Sequence, residues 1–105
     1  MSADRSLRTV RTYRGAVILQ RVRESRGEWR LRGVLVHATG TVDQQSRWAG
    51  NAELDVTWTA RVEMTDRVTP LAGGRVRIVV EGRSGDGVLF HDGTIRGLTG
   101  APLGP

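Results

Sequence analysis

Three polar side chains of this sequence, His37, Asp43 and Arg47, are the candidates for catalytic contacts with a substrate. His37 ends an apolar segment, where an imidazole could act as a general base or an orienting hydrogen-bond donor. A lone His at the end of a strand is more often structural, so that interpretation stays open. Asp43 and Arg47 are the other polar contacts that we expect to reach a bound molecule.

The adjacent pair His91-Asp92 has the composition of a catalytic dyad. Neighbouring residues of a strand point to opposite faces, however, and Asp92-Gly93 is a strong hairpin signal, so the sequence favours a turn here. Two separate His with scattered carboxylates fall short of the three or four convergent ligands that a metal requires. The chain has no Cys, which excludes thiolate ligands and disulfides. We therefore expect no metal and no cofactor.

Five large side chains could shape a cavity for an apolar small molecule, and core packing is the alternative role for most of them: Tyr13, Trp48, Trp58, Met64 and Phe90. A reaction in such a cavity need not use an acid–base pair. An intramolecular cycloaddition or rearrangement is accelerated when a site folds the substrate into a reactive conformer, excludes water and places a donor on a polarised carbonyl.

Strands must position these residues, because apolar side chains alternate with polar ones in several segments. Residues 56–64 and 75–81 show this period-2 pattern, and residues 13–22 and 28–37 flank a polar link that ends in Gly27. Gly15 and Gly33 each precede an aliphatic run and predict a bulge or bend. Residues 87–90 and 94–98 flank the Asp92-Gly93 turn, and Gly-rich residues 71–74 and 83–87 also read as turns.

Together these segments predict an all-β, single-domain antiparallel β-barrel, or a closed sandwich, of six or seven strands. No apolar periodicity of 3.6 residues persists long enough for a helix. We expect residues 1–12 to form a flexible basic arm, residues 13–103 to form the barrel, and the C-terminal GAPLGP to be irregular. Residues 42–50 read as a polar connection between two strands.

The charge of the chain is unevenly distributed. All 16 basic residues are Arg, which suggests the genome of a high-GC bacterium, and residues 1–32 carry nine of them against three acidic residues. Such a segment could attract phosphates, but the absence of an interleaved aromatic platform makes nucleic acid the least favoured partner. No apolar stretch has the length of a signal peptide or a membrane span. We expect a cytoplasmic protein with no membrane association, folding alone or as a small oligomer such as a homodimer.

Several short motifs lie in order between residues 13 and 103: Tyr13-Arg14-Gly15, Leu31-Arg32-Gly33, Val42-Asp43, Trp48-Ala49-Gly50 and residues 97–103. In order and spacing they resemble the motifs of an actinobacterial family of unknown function. That family occurs alone or at the C-terminus of flavin-containing monooxygenase-like proteins. The resemblance implies an all-β fold and assigns no catalytic residues.

The chain departs from the family pattern beside Trp48. Thr41 stands where the family usually has Pro, Gln44 where it has Gly, and Ser46 and Ala49 where it often has aromatic residues. Smaller residues at these positions would open space next to Trp48, which favours a pocket. We expect residues 44–46 and 49 to carry what is particular to this chain.

Two functions follow as hypotheses. The first is a cofactor-free cyclase or isomerase that binds an apolar, polyketide-like intermediate of secondary metabolism in the barrel and promotes its cyclisation or rearrangement. The alternative is a non-catalytic ligand-binding or interaction domain that partners a flavin monooxygenase. Analogy with small cyclases of polyketide pathways supports the first hypothesis only at the level of fold, and folds do not fix function.

Overall fold

The computed structural model describes residues 6–105, which form six antiparallel strands and one short 3₁₀ helix. The strands close into a ring in the order β1-β2-β3-β6-β5-β4, with β4 pairing back onto β1. The predicted all-β antiparallel barrel is therefore confirmed, with six strands. The elements are β1 (Ser6–Ser25), β2 (Glu28–Ala49), β3 (Ala52–Val62), the 3₁₀ helix (Thr69–Leu71), β4 (Gly74–Val80), β5 (Arg83–Leu89) and β6 (Thr94–Gly100).

The interior of the barrel is filled by the side chains that the period-2 pattern predicts to point inward. On β4, Val76, Ile78 and Val80 are buried, while the residues between them are only partly covered. Aliphatic side chains from every strand join one continuous core with Trp58. Because burial of apolar area is the main force that favours folding, this core holds the ring closed.

Trp58 explains why glycines stand inside β5 and β6. A β-carbon at Gly85 would lie 2.8 Å from Trp58 Nε1, and one at Gly97 would lie 2.6 Å from Trp58 Cε2. Only glycine leaves room for the indole there. The interpretation of residues 83–87 as a turn is therefore wrong: they form β5, and the turn lies just before them at residues 81–82.

The segment interpreted as a connection, residues 42–50, is also mostly strand. Residues 42–49 continue β2, and the chain turns only at Gly50 and Asn51. Val42, Gln44 and Ser46 point inward and are buried. Polar residues at two of these inward positions break the apolar alternation, which is why the sequence pattern indicates a connection.

The structure also differs from the flexible arm predicted over residues 1–12. β1 begins at Ser6, and its first half pairs residue by residue with the end of β2, from Ser6 opposite Ala49 to Tyr13 opposite Val42. The extension of β2 provides the pairing partner that the predicted connection lacked. Residues 1–5 of the arm lie outside the described residues.

At the end opposite the β2–β3 turn, β1 and β2 extend past the barrel as a two-stranded hairpin with its tip at Arg26 and Gly27. Both tip residues have positive φ angles, 53° and 79°, as a two-residue hairpin turn of primed type requires. β3 pairs with β2 only from Gly40 onward, and β4 pairs with β1 only from Ile18 to Arg21. We call residues 20–35 the distal hairpin. Its projection accounts for the elongated dimensions of 53 × 33 × 24 Å.

The distal hairpin begins at an irregularity in strand pairing. Leu19 pairs with Val36 and Arg21 pairs with Arg32, so Gln20 faces the three residues Gly33, Val34 and Leu35. The bulge predicted at Gly33 is confirmed, and Gln20 Nε2 donates a hydrogen bond to Gly33 O at 2.9 Å. Gly15, in contrast, pairs in regular register with Gly40.

The segment between β3 and β4, residues 63–73, covers one end of the barrel. It includes the 3₁₀ helix and buries Val68 and Leu71 in the core. We call it the cap. Within residues 6–105, no helix combines the length and the hydropathy needed to cross a membrane.

Candidate binding surface

The three predicted catalytic residues lie on the outer face of β2 and do not form one site. Inward and outward positions alternate along this strand, and His37, Asp43 and Arg47 all occupy exposed, odd-numbered positions. Ten residues separate His37 from Arg47, which corresponds to roughly 33 Å along an extended strand. No single small molecule would contact all three.

Two of these residues already have partners on neighbouring strands. Thr12 Oγ1 donates a hydrogen bond to Asp43 Oδ1 at 2.6 Å, and Arg47 Nη2 forms an exposed salt bridge with Asp55 Oδ2 at 2.9 Å. Such cross-strand pairs stabilise the sheet modestly.

Among the five predicted substrate-binding residues, Trp58 lies in the core. Its side chain is 4% exposed, and its Nε1 donates a hydrogen bond to Thr99 O at 3.0 Å. Trp48 lies far from it, at the β2–β3 end of the sheet, where its Nε1 donates to Thr9 Oγ1 at 3.3 Å. The two indoles therefore lie in different parts of the molecule and do not line one cavity.

The other three predicted lining residues lie at the edges of the core. Tyr13 and Met64 are partly buried against it, and the Tyr13 hydroxyl donates to Ala16 O at 2.7 Å. Phe90 is exposed and directly follows β5. The structure does not bring the five side chains together around a common space.

The residues His91 and Asp92 form the predicted turn between β5 and β6. The backbone N–H of Thr94 donates to Asp92 Oδ1 at 2.9 Å, and this hydrogen bond lowers the pKa of the Asp92 carboxyl. The turn interpretation is confirmed. Among residues 6–105, no three His, Asp or Glu side chains converge into a group that could hold a metal ion.

Gln44, one of the residues expected to carry what is particular to this chain, holds the C-terminal tail. Its Nε2 donates to Gly104 O at 2.6 Å, and its Oε1 accepts a hydrogen bond from Leu103 N at 2.8 Å. The Arg11 guanidinium also donates to Gly104 O. A buried side-chain amide with both ends satisfied is a structural clamp, and it leaves little polar capacity for a ligand.

An apolar surface groove lies between the bulge of β2 and the cap. It has a volume of about 420 Å³, and its apolar walls come from the bulged strand and from the cap: Val34, Leu35, Val36, Pro70 and Leu71. Val34 is 79% exposed and Leu35 is 56% exposed. Adjacent exposed aliphatic residues in a concave surface are typical of an interaction site. We call this feature the bulge groove.

Three arginines surround the bulge groove: Arg21, Arg32 and Arg67. Among residues 6–105, no acidic residue lines it. The Arg21 guanidinium donates to Pro70 O, which joins the hairpin to the cap. The groove therefore combines apolar walls with an excess of positive charge.

The basic character continues along the distal hairpin. Arg21 pairs directly with Arg32, and Arg23 pairs with Arg30. Like charges directly opposite each other destabilise a β-ribbon. Arg30 is neutralised by Glu28 at 2.5 Å, but within residues 6–105 neither Arg23 nor Arg32 has a carboxylate within salt-bridge distance. This arrangement is suited to an acidic partner.

The sequence contains a partial signal for this surface. Gly33 marks the bulge, and alternate residues on either side of the turn at Gly27 are arginines: Arg21, Arg23, Arg30 and Arg32. The run Val34-Leu35-Val36 nevertheless reads as an ordinary buried segment. Only the register shows that three residues oppose Gln20, which leaves Val34 and Leu35 outside the core.

Comparison of the chain with protein-family models, with curated proteins and with solved structures finds no match.

Proposed function

We propose that this protein is a cytoplasmic, non-catalytic interaction domain that binds its partner at the bulge groove. The observation that carries the proposal is the exposure of Val34 and Leu35 beside Arg32 and Arg67 in one concave surface. An apolar group with a nearby negative charge satisfies both the walls and the rim of such a site. This role corresponds to the second hypothesis drawn from the sequence.

The filled interior is the reason to prefer a surface role over catalysis on an enclosed substrate. Aliphatic side chains and Trp58 occupy the space that a polyketide-like molecule would need, and the expected catalytic residues lie on the outer face of β2. Preorganised contacts on all sides of a substrate are what a cofactor-free cyclisation requires. The cyclase hypothesis therefore stays a prediction with less geometric support.

A flavin monooxygenase remains the partner implied by the resemblance. The residues of the bulge groove support a chemical class of partner, namely a protein with an acidic surface that presents an apolar side chain. The bulge groove of about 420 Å³ would accept one or two such side chains.

The fluorescent anion anilinonaphthalene sulfonate tests the groove, because it combines an aromatic body with a negative charge. We expect saturable binding to the folded chain, weakened about tenfold by Leu35→Ser, since that change removes an exposed leucine side chain that the bound dye would cover. Leu54→Ser is the matched control, because Leu54 is 50% exposed on β3, and it should change the affinity less than about twofold.

Circular dichroism of each variant confirms that the dye reports on a native fold and not on a loosened one. A second variant, Arg32→Ala, should weaken binding at low salt and lose this effect at high salt. Equal weakening by Leu35→Ser and Leu54→Ser would contradict the proposed site, as would the absence of saturable binding.

A further inference from the structure

One backbone edge of the distal hairpin has no strand beside it. β2 pairs with β1 from Glu28 to Ala49 except at the bulge of residues 33–35, but β3 joins its other side only at Gly40. On the side of β2 that faces away from β1, the backbone N–H of Glu63 in the cap donates to Thr39 O at 2.9 Å. Among the described residues, no other backbone hydrogen bond joins the cap to β2. In the described part of the chain, residues 28–38 of β2 therefore form an open edge. The bulge groove lies along this edge.

An open edge carries unpaired backbone donors and acceptors, which another extended chain can satisfy. Proteins commonly protect such edges with charged side chains or with bulges. Both devices occur here, since Arg30 and Arg32 lie on the edge strand and residues 33–35 form the bulge. Protection of the edge does not account for the exposed side chains of Val34 and Leu35, because exposed aliphatic side chains favour unwanted association.

We propose that an extended acidic segment of a partner protein adds to this edge as a further strand. The inference rests on the proposed function and names the occupant of the bulge groove. The distal hairpin carries five Arg against two Glu. Glu or Asp side chains of the added strand would face Arg30 and Arg32, and its alternate apolar side chains would enter the groove against Leu35 and Pro70.

Two alternative occupants of the open edge fit the residues along it less well. A second copy of this chain, pairing edge to edge about a two-fold axis, would place the arginine-rich strands against each other, and like charges oppose that contact. A nucleic acid would be attracted to the arginines but would gain little from Val34 and Leu35, whose aliphatic side chains offer no stacking platform.

The test uses the full chain, labelled with ¹⁵N, and a blocked peptide of about eleven residues in which Glu and Val alternate, long enough to span the edge. We expect chemical-shift changes confined to residues 28–38 and the cap, with slower exchange of backbone amides on the open edge. A peptide of the same sequence with N-methyl groups at alternate residues keeps its charge and loses edge-pairing donors. It should bind about tenfold more weakly or not at all.

Reversing the charge of Arg32 tests whether this residue recognises the acidic side chains of the peptide. Arg32→Glu should weaken the Glu-Val peptide and strengthen the corresponding Lys-Val peptide, a reciprocal change that loss of folding cannot produce. Arg14→Glu, on the exposed outer part of β1 away from the distal hairpin, is the control and should leave both affinities within about twofold.

The outcomes separate the two proposals. Dye binding at the groove without peptide binding would overturn strand addition and leave the interaction domain in place, whereas loss of both would overturn both. Equal affinity of the N-methylated peptide would exclude backbone pairing. Concentration-dependent shifts at residues 28–38 without peptide would assign the edge to a second copy. Tighter competition by a short oligonucleotide at the same amides would assign the edge to nucleic acid.

Discussion

The barrel and the distal hairpin are built from the same two long strands, yet they distribute their side chains in opposite ways. Where six strands close a ring, apolar residues point inward and are buried, as Val17, Leu19 and Val42 show. In the distal hairpin, where β2 has no strand on its outer side, Leu31, Val34 and Leu35 are exposed and arginines pair with arginines. Val22 on β1 is the one buried aliphatic residue of the distal hairpin. Alternation alone therefore does not make a core. The pattern produces extensive burial where further strands provide an opposing surface.

Replacing one indole in each region should give the largest contrast. Trp58→Ala removes a buried ring from the middle of the core and should lower the free energy of unfolding by about 3–5 kcal/mol. Trp29→Ala removes a half-exposed ring in the distal hairpin, where its main specific contact is the Arg75 guanidinium 4.1 Å above the ring. This pair is only partly exposed, since Arg75 Nε is buried, and such cation–π pairs contribute about 0.5–2 kcal/mol.

Urea unfolding followed by circular dichroism measures both changes without depending on tryptophan fluorescence. If Trp58→Ala leaves too little folded protein, Trp58→Phe keeps most of the ring and extends the series. A loss at Trp29 as large as that at Trp58 would mean that the distal hairpin is part of the folding core, and the contrast between the two regions would fail.

Two glutamines give the next comparison. Gln44→Ala removes the two hydrogen bonds of this side chain to the tail, with Leu103 N and Gly104 O. It should destabilise the chain by about 1–3 kcal/mol because Leu103 N loses its partner, whereas Gly104 O keeps the hydrogen bond from Arg11. Gln20→Ala removes one exposed hydrogen bond to Gly33 O and should cost less than about 1 kcal/mol.

Hydrogen exchange at Leu103 distinguishes a local effect from a general one. In Gln44→Ala this amide should exchange much faster than amides of β4, whereas Gln20→Ala should leave it unchanged. Unaltered protection of Leu103 in Gln44→Ala would show that the tail is held by packing of Pro102 and not by the clamp.

Much of the barrel could be predicted because its strands follow simple rules. Residues 56–62 alternate strictly, residues 75–80 alternate except at Val79, and Gly27 and Asp92-Gly93 mark turns that the structure contains. Predictions failed where tertiary contacts reverse a local signal. Gln44 and Ser46 look like loop residues until the tail and the sheet cover them, and Gly85 looks like part of a turn until Trp58 occupies the space beside it.

The candidate surface was less accessible to sequence reasoning. His37, Asp43 and Arg47 have the right chemistry, but chemistry says nothing about which face of β2 each one occupies. The bulge groove depends on a register that three residues opposite Gln20 define, and on the cap, which is distant in sequence. Gly33 indicated an irregularity there without indicating what it exposes.

The smallest contrast concerns one carboxylate in each region. Asp86 on β5 is largely buried and accepts two hydrogen bonds from Arg77, at 2.7 and 3.2 Å from its Nε and Nη2. The same interaction raises the pKa of Arg77. Asp86→Asn keeps the shape of the side chain but removes its charge, and should cost about 1–2 kcal/mol because Arg77 then lacks its only nearby counter-charge among the described residues.

Glu28→Gln makes the equivalent change in the distal hairpin, where Glu28 and Arg30 are both well exposed. Water already solvates these charges, so the free energy of unfolding should change by no more than about 0.5 kcal/mol. Added salt should abolish the difference at Glu28 and leave most of that at Asp86, because burial limits screening. A larger or salt-resistant loss at Glu28 would mean that the exposed arginines of the hairpin depend on Glu28 for folding, which would weaken the case that they await an acidic partner.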